Sequence, residues 1–179
     1  MPWIKLRNAP SCSSFTSRLP IKHDFVCRSK ANGGNAVTTP DLNVDADSAE
    51  SLLEAMAQCL VVDEQLNEYD DWHGFVSIAG LDETQGAQQA WRFVGEETLP
   101  TPIYIMNPAL NPDILERLRE LTADPERGKW QTWIALYDRE SDTFEHTFLW
   151  PGEDAGCNVL GYDTPMATIE TLNPAFKAE

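Results

Sequence analysis

Histidine and cysteine are the scarce reactive groups of this 179-residue chain, three of the first and four of the second, so a search for catalysis starts from them. His23 stands in a head segment of different composition, which leaves His73 and His146. His73 follows Asp70-Asp71-Trp72, and an imidazole beside two carboxylates is a donor set that a divalent metal accepts. The segment reads as the start of a strand, however, where adjacent side chains point to opposite faces, so these groups converge poorly. His146 alternates with Phe144 and Phe148 on one aromatic strand face, which reads as a core or interface histidine rather than a general base. Cys157 lies in a Gly-flanked loop, but Glu153, Asp154 and Asp163 make its surroundings acidic, and a reactive thiolate needs positive charge nearby.

Cys12, Cys27, Cys59 and Cys157 are far apart and form no C-x-x-C pair, which argues against a zinc site and a disulfide framework and fits a reducing cytosol. The run Asp41-Leu-Asn43-Val-Asp45-Ala-Asp47 opens like a calcium loop. That loop needs Gly at its sixth position and a bidentate Glu at its twelfth, and here those positions hold Ala46 and Leu52. No G-x-S-x-G, Walker-type loop, G-x-G-x-x-G or H-E-x-x-H occurs. The expectation is a binding protein with no catalytic residue, no metal and no cofactor. A small metal-dependent enzyme built on His73 and His146 is one alternative.

Charge is the stronger signal. Residues 1–40 carry six cations (Lys5, Arg7, Arg18, Lys22, Arg28, Lys30) against Asp24 alone, a net +5. Residues 41–179 carry seven cations against 28 acids, a net −21, and the whole chain stands at −16. Such a body repels nucleic-acid phosphates and anionic membranes, because binding either requires Lys and Arg to displace counterions. It attracts a basic protein surface and speeds the encounter. Acidity that serves solubility alone is the plainer reading. No run approaches the ~20 apolar residues of a membrane span.

The elements that must position these groups follow from periodicity. Residues 1–40 are rich in Ser, Arg and Lys and end in the breaker-rich 31–40. They read as an unstructured basic arm, a transit-like segment, or translation from a mis-assigned start, with a single acidic domain over 41–179. Asp47 and Glu50 stand in capping-box spacing before Ala49, Leu52, Leu53, Met56, Cys59 and Leu60, which repeat as one helical stripe. Residues 72–81 and 88–94 read as strands joined by a turn, and 103–106 as a short third strand. Asn111 and Pro112 mark the start of a second helix carrying Ile114, Leu115, Leu118 and Leu121. Residues 129–138 and 143–150 flank the polar tetrad Arg139-Glu140-Ser141-Asp142 as a hairpin, and a short helix is expected over 166–172.

The fold class that follows is α+β, a mainly antiparallel sheet with two or three helices packed on one face, in the order helix, strands, helix, hairpin, tail. Trp130 and Trp133 take opposite parity in the first hairpin arm, so both sheet faces carry aromatics. Either a second layer covers the other face or that face binds something.

From about residue 48 to 150 this layout resembles the YezG-like family of bacterial toxin-immunity proteins. The likeness lies in the opening amphipathic helix, the strand pair, the acidic helix capped by Asn111-Pro112-Asp113, and a hairpin with Trp130 and Trp133 in one arm and Phe144 and Phe148 in the other. The resemblance implies a cytoplasmic antitoxin that binds and blocks a cognate toxin, often a nuclease. The expected contacts with such a basic partner are the acids near strand ends and turns, namely Asp70, Asp71, Glu96, Glu97, Asp138, Glu140, Asp142, Glu153 and Asp154, with Trp133 and Tyr137 as aromatic anchors. The further alternative is an acidic interaction protein imported into an organelle by residues 1–40.

Overall fold

The computed structural model describes residues 16–20, by backbone alone, and 48–67, 70–83, 85–95, 100–103, 108–153 and 166–172. In chain order the elements are β1 (Thr16–Pro20), α1 (Ala49–Val61), α2 (Glu64–Asn67), β2 (Trp72–Leu81), β3 (Gly86–Val94) and β4 (Thr101–Ile103). A 3-10 turn (Pro108–Leu110), α3 (Pro112–Leu121), β5 (Thr132–Asp138), β6 (Thr143–Leu149) and α4 (Met166–Thr171) follow. The α+β class holds, with an antiparallel sheet and the expected element order.

The helix starts show local chemistry at work. Ser48, one residue after the expected Asp47, caps α1: its backbone is extended and its Oγ accepts the Ser51 amide at 3.2 Å. Glu50 then falls in the first turn, where the helix dipole favours an anion. Asp47 itself lies outside the described residues. Asn111 caps α3 as its position before Pro112 dictates, with Oδ1 accepting the Asp113 amide at 2.9 Å.

Five strands of the acidic body and one from the head make a single sheet in the order β1-β6-β5-β2-β3-β4, antiparallel at every pairing. Alternation splits its side chains cleanly. Phe75, Ala79, Trp133, Ala135, Tyr137, Phe144 and Phe148 pack with Leu52, Met56 and Leu60 of α1 and Leu115 and Leu118 of α3. Val76, Ile78, Trp91, Phe93, Ile134, Leu136 and Leu149 form a second cluster on the other face, and Ile169 of α4 joins it. Two helices thus share one face as expected, and the short tail helix contributes to the other. The second aromatic face is covered: Trp91 and Phe93 are buried.

The elements depart from expectation in several places, the start of β3 at Gly86 rather than 88 among them. The strand expected over 103–106 is seen at Thr101–Ile103, and 104–107 lie outside the described residues. Pro102 is accommodated because β4 is an edge strand. The strand expected from Lys129 starts at Thr132. The reason is α3: Arg119 Nε donates to the Trp130 carbonyl at 2.6 Å, and the Trp130 indole N–H donates to Thr122 Oγ1 at 2.8 Å, so helix rather than ladder holds Trp130. Finally, Thr16–Pro20, within the head expected to lack structure, pairs with β6 as an edge strand. Among the described residues no helix is long and apolar enough to cross a membrane.

Candidate functional site

Five of the nine candidate acids, Asp70, Asp71, Asp138, Glu140 and Asp142, lie at one end of the sheet. Asp70 and Asp71 precede β2, and Gly74 pairs with Asp138, the last residue of β5, so the entry to β2 adjoins the β5–β6 turn that carries Glu140 and Asp142. Gly95, at the end of β3 with φ +59°, donates its amide to the Asp71 carbonyl at 3.1 Å and closes the same corner.

Arg139 is the hub of this corner. Its amide donates to the His73 carbonyl at 2.9 Å, and its Nη1 donates to the carbonyls of Asp70 at 2.9 Å and Trp72 at 3.0 Å. Its guanidinium also lies over the buried Trp72 ring. The cation is thereby held by main-chain oxygens and an aromatic face. The turn itself is held by two of the acids: Asp138 Oδ1 accepts the Glu140 amide at 3.1 Å, and Asp138 Oδ2 accepts the Ser141 hydroxyl at 2.6 Å. Asp142 takes the left-handed backbone (φ 51°) that Asp tolerates better than most residues. Its Oδ1 accepts the Tyr137 hydroxyl at 2.8 Å from beneath. Burial, with the Asp142 carboxylate beside the hydroxyl, pushes Tyr137 ionisation well above the ordinary phenol range.

Asp70, Asp71 and Glu140 are exposed and form no side-chain ion pair among the described residues. Four other cations of the body are engaged elsewhere. Arg119 and Lys129 pair with Glu116, Arg117 pairs with Glu120, and Arg127 pairs with Asp124 and Glu153 while stacking 3.6 Å from the Trp150 ring. The Lys129 and Arg119 contacts hold Glu116 below the usual carboxylate range despite the opposing effect of burial. Backbone amides of Arg127 and Glu126 do the same for Asp124. Negative charge at the β2 entry and the β5–β6 turn thus lies apart from these ion pairs.

The other candidates fall elsewhere. Glu153 sits past β6 at the opposite end of the strands, accepting the Trp150 amide at 2.9 Å and pairing with Arg127, so its role there is structural. Trp133 and Tyr137 are corrected outright. Both are buried among Phe75, Phe144 and Phe148, because their parity on β5 faces α1 and α3, and neither ring is exposed to anchor a partner. Glu96, Glu97 and Asp154 lie outside the described residues. Arg139, the hub, was not among the expected site residues, and the available signal was its place as the sole cation of the turn tetrad.

The histidines do not meet. A β-bulge between Trp72 and Gly74 turns His73 to the face of Phe93, on which its ring stacks at 6.0 Å. His146 lies on the opposite, helix-covered face, buried between Phe144 and Phe148, and that burial depresses its pKa to about 4. Among the described residues no three His, Cys, Asp or Glu side chains gather as a metal site.

No protein-family model matches this chain, and no curated protein does.

Proposed function

We propose that the chain is an acidic protein-binding module of the immunity type, which neutralises a cationic partner such as a nuclease toxin by covering its basic surface. One observation carries the reading: Asp70, Asp71 and Glu140 stand exposed at one corner, while the nearby cation Arg139 is turned to main-chain oxygens and the Trp72 ring. Carboxylates gathered in this way make a field that steers a positive surface and fixes its register. The order of helix, strand pair, capped helix and hairpin, on which the likeness to YezG-like immunity proteins rests, supports the same reading.

The test is co-expression with the cationic protein encoded by the adjacent gene. The expected result is rescue of growth together with a complex that survives purification at moderate salt and dissociates at high salt. Absence of both rescue and complex excludes the reading.

A further inference from the structure

The outer edge of β6 lies beside the acidic corner, and β1 occupies it. β1 runs antiparallel to β6 with Thr16 opposite Thr147, Arg18 opposite Glu145 and Pro20 opposite Thr143. Thr143 is the first residue after the acidic turn, so a chain following the course of β1 leaves the sheet at the carboxylates of that turn. An extended segment here therefore makes main-chain hydrogen bonds along β6 and delivers its next residues to the negative corner.

The chemistry of β1 indicates what fits. It comes from the +5 head, places a cation opposite Glu145, and ends in Pro20, which lacks an N–H and is tolerated only at a sheet edge. Opposite charges directly across a ladder favour pairing, and β1 ends the sheet order, with β6 its one partner among the described strands. Residues 21–48 separate β1 from α1, and among the described strands β1 pairs with β6 alone, so its departure leaves the other described pairings in place. Without it, β6 presents unpaired N–H and C=O groups, the template that strand addition uses.

We infer that the β6 edge is a strand-addition site for an extended basic segment of the partner protein, occupied in cis by β1 until that segment displaces it. The inference rests on the cationic-partner reading and names how such a partner docks.

The test uses the full chain, isotopically labelled, and an unlabelled peptide of sequence 14–22. A tethered strand competes at an effective concentration on the order of millimolar, so millimolar peptide is required. The expected result is that the labelled amides of Ser17, Arg18 and Leu19 move to free-chain positions as peptide is added, while β6 amides stay protected. An Arg18→Glu peptide displaces β1 about two- to fivefold less well. Labelled β1 amides that stay fixed at saturating peptide, or that already sit at free-chain positions without it, overturn the inference. No partner is present in this measurement, so its failure leaves the reading of the acidic corner to be judged by co-expression, and failure there leaves the exchange result intact.

Discussion

The guanidinium of Arg139 lies 4.7 Å above the ring of Trp72, two residues 67 positions apart that join the hairpin turn to the entry of β2. The contact fixes both halves of the acidic corner and holds a cation beside the exposed carboxylates.

Arg139→Ala removes the stacking and two hydrogen bonds to carbonyls, and is expected to destabilise the fold by about 1–3 kcal/mol in urea unfolding. Arg139→Lys recovers only part of this, because an ammonium cannot reproduce the planar fork. A variant within about 0.5 kcal/mol of the wild type, the range of unengaged surface positions, contradicts the assigned hub.

His146 sets an acid limb. Its folded-state pKa lies at about 4 against an ordinary 6.5, because burial disfavours the imidazolium. The unfolded state therefore binds the proton first. The stability His146 contributes is complete above pH 6.5 and falls as pH drops toward 4, by up to about 3 kcal/mol. His146→Phe, placed between Phe144 and Phe148, should flatten that limb in denaturation curves collected from pH 7 to 4. An unchanged slope in the variant means the limb belongs to other groups.

Thr122→Val leaves the indole N–H of the fully buried Trp130 without its acceptor, and is expected to cost about 1–3 kcal/mol. Thr122→Ser keeps the acceptor and should cost less. A Thr122→Val protein as stable as the wild type in calorimetry, with the larger loss in Thr122→Ser, shows that the methyl group, and not the hydroxyl, is what Trp130 needs.

Trp133→Ala empties a fully buried site and should cost about 3–5 kcal/mol. Its loss of partner binding should only follow its loss of fold. A folded Trp133→Ala protein that binds a partner many times more weakly returns this residue to the interface.

Local signals were legible wherever the chemistry is local. Asn111 and Pro112 marked α3, and the tetrad 139–142 marked the turn, because cap and turn residues act within a few positions. Parity also placed Phe144, His146 and Phe148 together. Contacts set by tertiary structure were not legible. Trp130 leaves the ladder because Arg119 and Thr122 capture it from another element, and Trp133 and Tyr137 are buried because α1 and α3 cover their face. The bulge at Trp72 and Gly74, which parts the two histidines, left no mark in the pattern. Five of the nine candidate acids lie at one corner because β2 and β5 pair, which spacing alone does not reveal.

In the function proposed here the corner of Asp70, Asp71 and Glu140, and not acidity in general, meets the partner. Titration calorimetry with the cationic partner compares Asp70→Lys/Glu140→Lys with Glu83→Lys/Glu126→Lys, which makes the same change in net charge at exposed positions in other turns. The corner double variant is predicted to bind about 100-fold or more weakly, equivalent to about 3 kcal/mol, and the control within about threefold of the wild type. Equal weakening by both pairs, or none by the first, contradicts the account.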